Sequence, residues 1–565
     1  MSDKFSQALT LHQQGQLDEA LAIYTEISQQ QPNNADIWHL LAIISAQTEH
    51  LADAKQFIER AIQLDPKSAT YYNSLGNIDK KLQQSDSALA AYLQAVAIEP
   101  KLASAHNNLA ILYQAQAKFE LAEQHFQQAI AAKPNYTDAY FNYARLLFEQ
   151  GKLALAEQQL VTAIELDQQH AASLSLLSKI HYQLTNYSKA CHYALLANKF
   201  DRNNPELMLN HAACLMKLDQ LDAAIAILKK IIIIDPNHVE SLHNLGAIYL
   251  AQQKTNDALK AYLQQLTIKP DADAYYNAGV IYMYQNRFND AIVFLERALE
   301  LKPNDKNTLI NLAVTYLQKE DYPQATHYYN QALAIDPHNG EIRYILNAIN
   351  QAENPKAAPI DYVTHLFDQY APYYEQHLIE HLHYQVPEHI ERYLNNELAE
   401  RNHDLTILEL GCGTGLTGKR IKQFSHHLIG SDIAAKMIEQ ANKKNIYDEL
   451  EIADIQTSLA KHNNLDLIVA ADVFSYLGDL QDVFMAARKS LPQQGLFIFT
   501  IEKNAQASDY QLQKTARYAH SLNYIQTLAI NNAFQVKTAN SIILRHNKQQ
   551  PVYGYLVVLK KLPPR

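Results

Sequence analysis

Four of the fourteen glycines in this 565-residue chain stand within eight positions: Gly411, Gly413, Gly415 and Gly418, in the run LTILELGCGTGLTG. Glycine lacks a Cβ, so such a cluster lets backbone turn sharply after a strand and approach a ligand closely. In a chain this poor in glycine, the cluster marks a cofactor cradle. Its letters permit several ligands. Gly413-x-Gly415-x-x-Gly418, with Asp432 about 20 residues on, fits a dinucleotide fingerprint. Gly413 to Lys419 spells GTGLTGK, a phosphate loop up to its last position, but Arg420 stands where a magnesium-binding hydroxyl is required. A triphosphate is therefore excluded, although LIVAAD (467–472) imitates the second half of that motif.

A third pattern, Glu409-x-Gly411-x-Gly413-x-Gly415, resembles motif I of class I S-adenosylmethionine-dependent methyltransferases. The acid ending the first strand suits a ligand with an amino group and would repel a pyrophosphate. Asp432, ending the second strand, can accept both ribose hydroxyls. Asp454, after the third, can take the adenine amino group, with Ile433 and Met437 flanking the ring. The resemblance extends through YVTHLFDQYAPYYEQHL, IYDELEIADI, DLIVAADVFSYLGDL, LPQQGLFIFTIE and ARYAHSLNYI to a bacterial family of methyltransferases fused to repeats. One departure is Gln493-Gln494 before Gly495, where many methyltransferases have a Pro-Gly-Gly turn.

The resemblance implies S-adenosylmethionine as cofactor, with contacts from Glu409, Gly411, Gly413, Gly415, Asp432, Ile433, Met437, Asp454, Ile455 and Tyr370. The helix carrying Phe367, Tyr370, Tyr373, Tyr374 and His377 would lid the cofactor, with Tyr370 or Tyr373 at its methionine end. Asp472, Tyr476, Arg517, Tyr518, His520 and Arg545 are expected at strand ends or on the late helix, where this fold builds its acceptor pocket. Among them His520, Tyr518 and Asp472 are the catalytic candidates, His520 as the base should the acceptor need deprotonation. His377, His381 and His383 have spacing that a metal could use, but without the glutamate of zinc proteases they read as a solvated face, and no metal is expected.

The elements that position these residues follow from periodicity. From about 361, apolar runs (Leu405–Leu410, Leu428–Ser431, Leu450–Ala453, Leu465–Ala471, Leu496–Ile501) alternate with helical stretches, as in a parallel α/β sheet. SIILRH and YGYLVVLKK read as an antiparallel edge pair. Upstream the chain repeats. Pro32, Pro66, Pro100 and Pro134 are spaced by 34 residues, and the beat resumes at Pro236, Pro270, Pro303 and Pro337. Small residues precede each proline by twelve, as at Ala20, Ala54, Ala88 and Ala122, and recur twelve earlier, where two helices must meet closely.

This pattern resembles the tetratricopeptide (TPR) repeat of 34 residues, in ten copies. The fold expected is multidomain: an all-α TPR superhelix over 1–339, a capping helix and linker over 340–360, and a Rossmann-like α/β class I methyltransferase domain over 361–565. Asn108, Asn142, Asn210, Asn244, Asn277 and Asn311 share one position on the first helix of their repeats. Asparagine is a mediocre helix former, and its amide suits gripping an extended peptide. A similar ladder lines the TPR groove of O-GlcNAc transferase, so these residues are expected to bind peptide.

The composition limits the partners. A net charge of −11 argues against a nucleic-acid surface. No apolar run is long enough to span a bilayer, the first residues carry no apolar signal core, and Cys191, Cys214 and Cys412 form no disulfide framework. A cytoplasmic methyltransferase that recruits a protein through its repeats is the expectation. The alternatives are a small-molecule methyltransferase with scaffolding repeats, or a non-catalytic interaction protein.

Overall fold

The computed structural model describes residues 2–371, 374–398, 404–506, 508–547 and 549–563. It divides into two compact units, Met1–Pro270 and Asp271–Arg565.

The first unit is built of antiparallel helix pairs, from Ser2–Gln13 with Leu17–Gln30 to Val239–Ala251 with Thr255–Ile268. The small residues sit at the crossings: Ala20, Ala54, Ala88 and Ala122 have no exposed surface, and a Cβ on Gly76 would lie 2.5 Å from the Tyr92 ring. Each pair turns through one left-handed residue. Gly15 and Gly151 take that conformation freely, whereas Glu49, Gln83, Ala117, Thr185, Asp219 and Gln253 accept it at a cost of about 1 kcal/mol each.

The second unit begins with helix pairs Ala272–Tyr284 with Phe288–Leu301 and Lys306–Gln318 with Tyr322–Ile335. Helix α1 (Gly340–Asn350) follows, started by the Asn339 side chain, which accepts from Ile342 N–H. It has two apolar faces. Ile342, Leu346 and Ile349 complete the core of the last pair with Leu309, Ala313, Tyr329 and Ala332. Tyr344 and Ala348 pack against Ala358, Leu512, Ala516 and Tyr518 of the α/β part.

That part carries strands β1 (Leu405–Leu410), β2 (Ser425–Asp432), β3 (Glu449–Ile452), β4 (Leu467–Ala470) and β5 (Leu496–Lys503), all parallel in the order β3-β2-β1-β4-β5. The expected edge hairpin is present: β8 (Phe534–Asn547) pairs with β9 (Gln550–Lys561), and β9 pairs antiparallel with β5. Two short strands, β6 (Tyr510–Leu512) and β7 (Tyr518–His520), extend the carboxyl end of β5.

Helices cover both faces, and side chains alternate between them with the strand period of two. Leu408, Ile468, Phe497 and Phe499 meet α6 (Ile455–Lys461), α7 (Gln481–Ser490) and α8 (Leu522–Asn531). Ile407, Val469 and Ile498 meet α3 (Val386–Glu397) and α4 (Leu416–Ile421). Helices α2 (Ile360–Tyr370) and α5 (Ala435–Asn442) complete the set.

Candidate active site

The chain leaves β1 through a turn in which Gly411, Gly413 and Gly415 have φ of 60°, 55° and 87°. These left-handed values favour glycine, and at Gly411 space demands it too: a Cβ would meet Val473 Cγ2 at 2.5 Å. Gly418 has a different task. It lies in α4, where a Cβ would fall 2.1 Å from the Tyr447 hydroxyl and 2.8 Å from Glu409 Oε2. The fourth glycine of the cluster thus makes room for a buried carboxylate and its half-buried tyrosine partner.

Those side chains hold the acid. Glu409 is 2% exposed, and its Oε2 accepts from the Tyr447 hydroxyl at 2.7 Å. Burial pushes its carboxyl up to about 8, with the neighbouring charge of Asp432 adding and the Tyr447 bond opposing. Asp432 ties two loops together, accepting from Gly413 N–H and Ala434 N–H, both at 2.9 Å. Burial raises its carboxyl as well. Asp454 caps α6, accepting from the backbone N–H and the hydroxyl of Thr457 at 2.9 and 3.0 Å.

The three acids thus stand at the carboxyl ends of adjacent strands, the place where open α/β sheets bind ligands. A cavity of about 360 Å³ opens there. Six expected cofactor residues line it: Gly411, Gly413, Asp432, Ile433, Asp454 and Ile455. The others are placed behind or beside it. Glu409 lies on β1 with its carboxylate against Tyr447, Gly415 faces Tyr447, and Met437 packs with Ala371 and Ala434 under Phe367 and Tyr374. Tyr370 is hydrogen-bonded to His377 Nδ1, while Tyr374 takes the place beside Gly413. Tyr373 lies outside the described residues. A left-handed turn, a carboxylate at each strand end and a cavity of nucleoside size fit S-adenosylmethionine.

The catalytic candidates divide. Asp472 lines the cavity just past β4, at a φ of 60°. Its Oδ1 accepts from Arg517 Nη2 at 2.7 Å and Arg545 Nη1 at 3.3 Å. Both guanidiniums also donate to Glu502 Oε1 at 2.6 Å, and Arg517 Nη1 donates to the Tyr476 hydroxyl at 2.9 Å. Burial would raise the Glu502 carboxyl, but the two arginines outweigh it and hold it low.

His520 and Tyr518 are not brought to the cavity. Both lie on β7, because the late helix starts only at Leu522. His520 is fully buried with Nε2 on the Gly478 carbonyl at 3.0 Å, and burial pushes it down to about 4. The Tyr518 hydroxyl donates to the Pro355 carbonyl at 2.8 Å. Sequence reasoning missed Glu502 and Tyr447. The signal for Glu502 was a carboxylate ending the apolar run of β5, whereas nothing pointed to Tyr447.

The asparagine position recurs as an inter-repeat tie. Asn108 Nδ2 donates to Asn73 Oδ1 (3.0 Å), Asn142 to Asn107 Oδ1 (3.1 Å), Asn210 to Ser175 Oγ (3.2 Å) and Asn311 to the Tyr276 hydroxyl (3.0 Å), each partner 35 residues earlier. Asn244 and Asn277 are half-buried at the equivalent place. Of the histidines, His377 lies tilted beside His381 while His383 packs edge-on against His546. Glu449, Glu451 and His462 come together on one side of β3, but Lys461 bridges the two carboxylates at 2.6 and 2.7 Å.

A model of the methyltransferase domain matches residues 408–497. Tetratricopeptide-repeat models match 11–78 and 114–180, 76–117, 205–238, 227–260 and 270–338. The chain carries tetratricopeptide repeats and a methyltransferase domain. Among curated relatives, it is 33% identical over 113 residues to a malonyl-[acyl-carrier protein] O-methyltransferase of Priestia megaterium, covering 19% of this chain and 41% of the relative. It is 29% identical over 110 residues to a ubiquinone biosynthesis O-methyltransferase of Bartonella quintana, covering 18% and 44%. The chain thus spans less than half the length of these relatives. Among solved structures, PilF of Pseudomonas aeruginosa is similar at 22% identity and a TM-score of 0.34, over 37% of this chain and 94% of that one. No helix among the described residues is long and apolar enough to cross a membrane.

Proposed function

We propose that the chain is an S-adenosylmethionine-dependent methyltransferase whose repeats, 1–339, recruit a protein or peptide that is its substrate or carries it, with the catalytic domain over 361–565. The observation that carries this reading is the set of strand-end acids around a left-handed glycine turn that opens into the cavity. Glu409 would hold the amino end of the cofactor, Asp432 the ribose, and Asp454 with Ile433 and Ile455 the adenine. The cofactor supplies a methyl group already activated as a sulfonium. The task left to the chain is alignment and exclusion of water. Tyr374 and Tyr476 wall the cavity, and Asp472, fixed by two guanidiniums, presents a carboxylate to an acceptor N–H or O–H.

Because both strand-end arginines are neutralised by acids, the cavity favours a neutral or cationic acceptor over an anion. The chain's free cysteines Cys191, Cys214 and Cys412 support a cytoplasmic setting. Calorimetry with S-adenosylmethionine on wild type and Asp432→Ala tests the reading: wild type should bind and the variant should lose at least about tenfold in affinity. Absence of binding by wild type would sink it. Radiolabelled methyl transfer into lysate then decides the acceptor class, label in macromolecules only with the full chain favouring recruitment and label in metabolites overturning it.

A further inference from the structure

The stretch AENPKAAP (352–359) reads in sequence as a spacer, yet in the second unit it is bonded along most of its length. Asn354 brackets β6 with its side chain: Oδ1 accepts from Leu512 N–H and Nδ2 donates to the Tyr510 carbonyl, both at 2.8 Å. The Pro355 carbonyl accepts from the Tyr518 hydroxyl at 2.8 Å. The Lys356 carbonyl accepts from Gly478 N–H (2.8 Å) and Asp479 N–H (2.9 Å), and Ala358 N–H donates to the Tyr476 carbonyl (2.9 Å). Ala357 forms an antiparallel bridge with Leu477. At its upstream end the Tyr344 hydroxyl donates to the Ala516 carbonyl at 2.9 Å. This strap and the first turn of α2 then supply Ala357, Ala358, Ile360 and Val363 to the lining of the cavity that holds Asp432 and Asp454.

We propose that residues 352–363 are a wall of the cofactor pocket, supplying apolar surface to the nucleoside part of the ligand, and that Asn354 is the positioning residue that sets the wall. The inference rests on the methyltransferase reading. Asn354 is not among the residues that line the cavity. It acts through the backbone it pins, because an amide that both donates and accepts replaces a strand partner where proline at 355 cannot donate. Tyr518, expected from sequence to act on the acceptor, belongs to the same device. Lys356 closes the outer side with an ion pair to Asp479 Oδ2 at 3.0 Å.

The test uses the full chain and S-adenosylhomocysteine as probe, titrated by calorimetry into wild type, Asn354→Ala and Ser490→Ala. Ser490 donates to the Leu459 carbonyl at 2.7 Å, where α6 and α7 end, and lies outside the cavity lining. Its loss therefore matches a buried hydrogen bond without touching the wall. Expected are binding about tenfold weaker in Asn354→Ala and unchanged in Ser490→Ala, at comparable falls in melting temperature. Hydrogen exchange should quicken at Ala358 and Gly478 in Asn354→Ala while β1 and β4 stay protected. If Asn354→Ala does not fold, Tyr518→Phe, which removes the hydroxyl that meets both the Pro355 carbonyl and Tyr344, carries the test and should weaken binding severalfold. Wild-type affinity in the folded strap variant, or equal loss in Ser490→Ala, overturns the wall. Failure of wild type itself to bind overturns the methyltransferase reading and the wall with it.

Discussion

At the scale of single residues, Glu409 makes the sharpest prediction. Its carboxyl, ordinarily near 4.5, is pushed up to about 8 by burial. The folded protein therefore holds this proton more tightly than the unfolded chain does. The associated stability is complete below 4.5 and is lost as pH rises toward 8. The melting temperature of the ligand-free protein should fall across that window, and less so in Glu409→Gln. On the proposed reading, the cofactor's ammonium is delivered beside this carboxylate and reverses the preference, so cofactor binding at pH 7 should release a proton. Calorimetry in buffers of different ionisation enthalpy measures that release, which Glu409→Gln should abolish.

The acids were legible because each ends an apolar run, a pattern that one dimension displays. Their keepers were not. Tyr447 reaches Glu409 across 38 positions, and Glu502 meets Arg517 and Arg545 across 15 and 43. No local spacing reports such pairs. His520 misled for a related reason: a histidine beside tyrosines suggests chemistry, but β7 carries it into the interior, where desolvation keeps it neutral.

At the scale of elements, the carboxyl ends of β4 and β5 are joined to β7 and β8 by a balanced set of two acids and two guanidiniums. Asp472 and Glu502 are 14% and 10% exposed, and Arg517 and Arg545 are 16% and 10%. A nearly buried set of this kind adds little net stability while complete, yet removing one member strands a charge. Arg545→Met should cost about 3–5 kcal/mol in urea unfolding, and the double variant Arg545→Met/Glu502→Gln should recover part of it. Strict additivity of the two substitutions would contradict the coupling.

The strands and the edge hairpin were readable from period and composition, with ends displaced by a few residues. β6 and β7 were not, being three residues each and set among polar positions. The strap escaped notice because proline and alanine leave no side-chain pattern, and most of its partners are backbone groups.

At the scale of the molecule, a capping helix and linker over 340–360 were expected between the repeats and the catalytic domain. Within the second unit α1 occupies that helical stretch and packs on both the last helix pair and the α/β part. A fragment of residues 271–565 should unfold in one cooperative transition and bind S-adenosylhomocysteine. A fragment of 361–565 loses the strap and the cover of Tyr344 and Ala348 over Leu512 and Tyr518, so it should aggregate or fail to bind. Calorimetric scanning and light scattering on the two fragments check this. The asparagine positions belong to this scale as well. Four of the six spend a donor on the neighbouring repeat, which makes them ties of the array whatever else they touch.

Helix α1 also constrains how such a chain could have grown. Tyr344 and Ala348 answer to the catalytic core, while Ile342, Leu346 and Ile349 answer to the last repeat. A duplicated or deleted repeat next to this helix would have to preserve both fits at once. Upstream, each repeat need match only its neighbours. Length variation among chains of this architecture should therefore accumulate toward the amino end, with the repeat at 306–335 and α1 inherited together with the domain that follows.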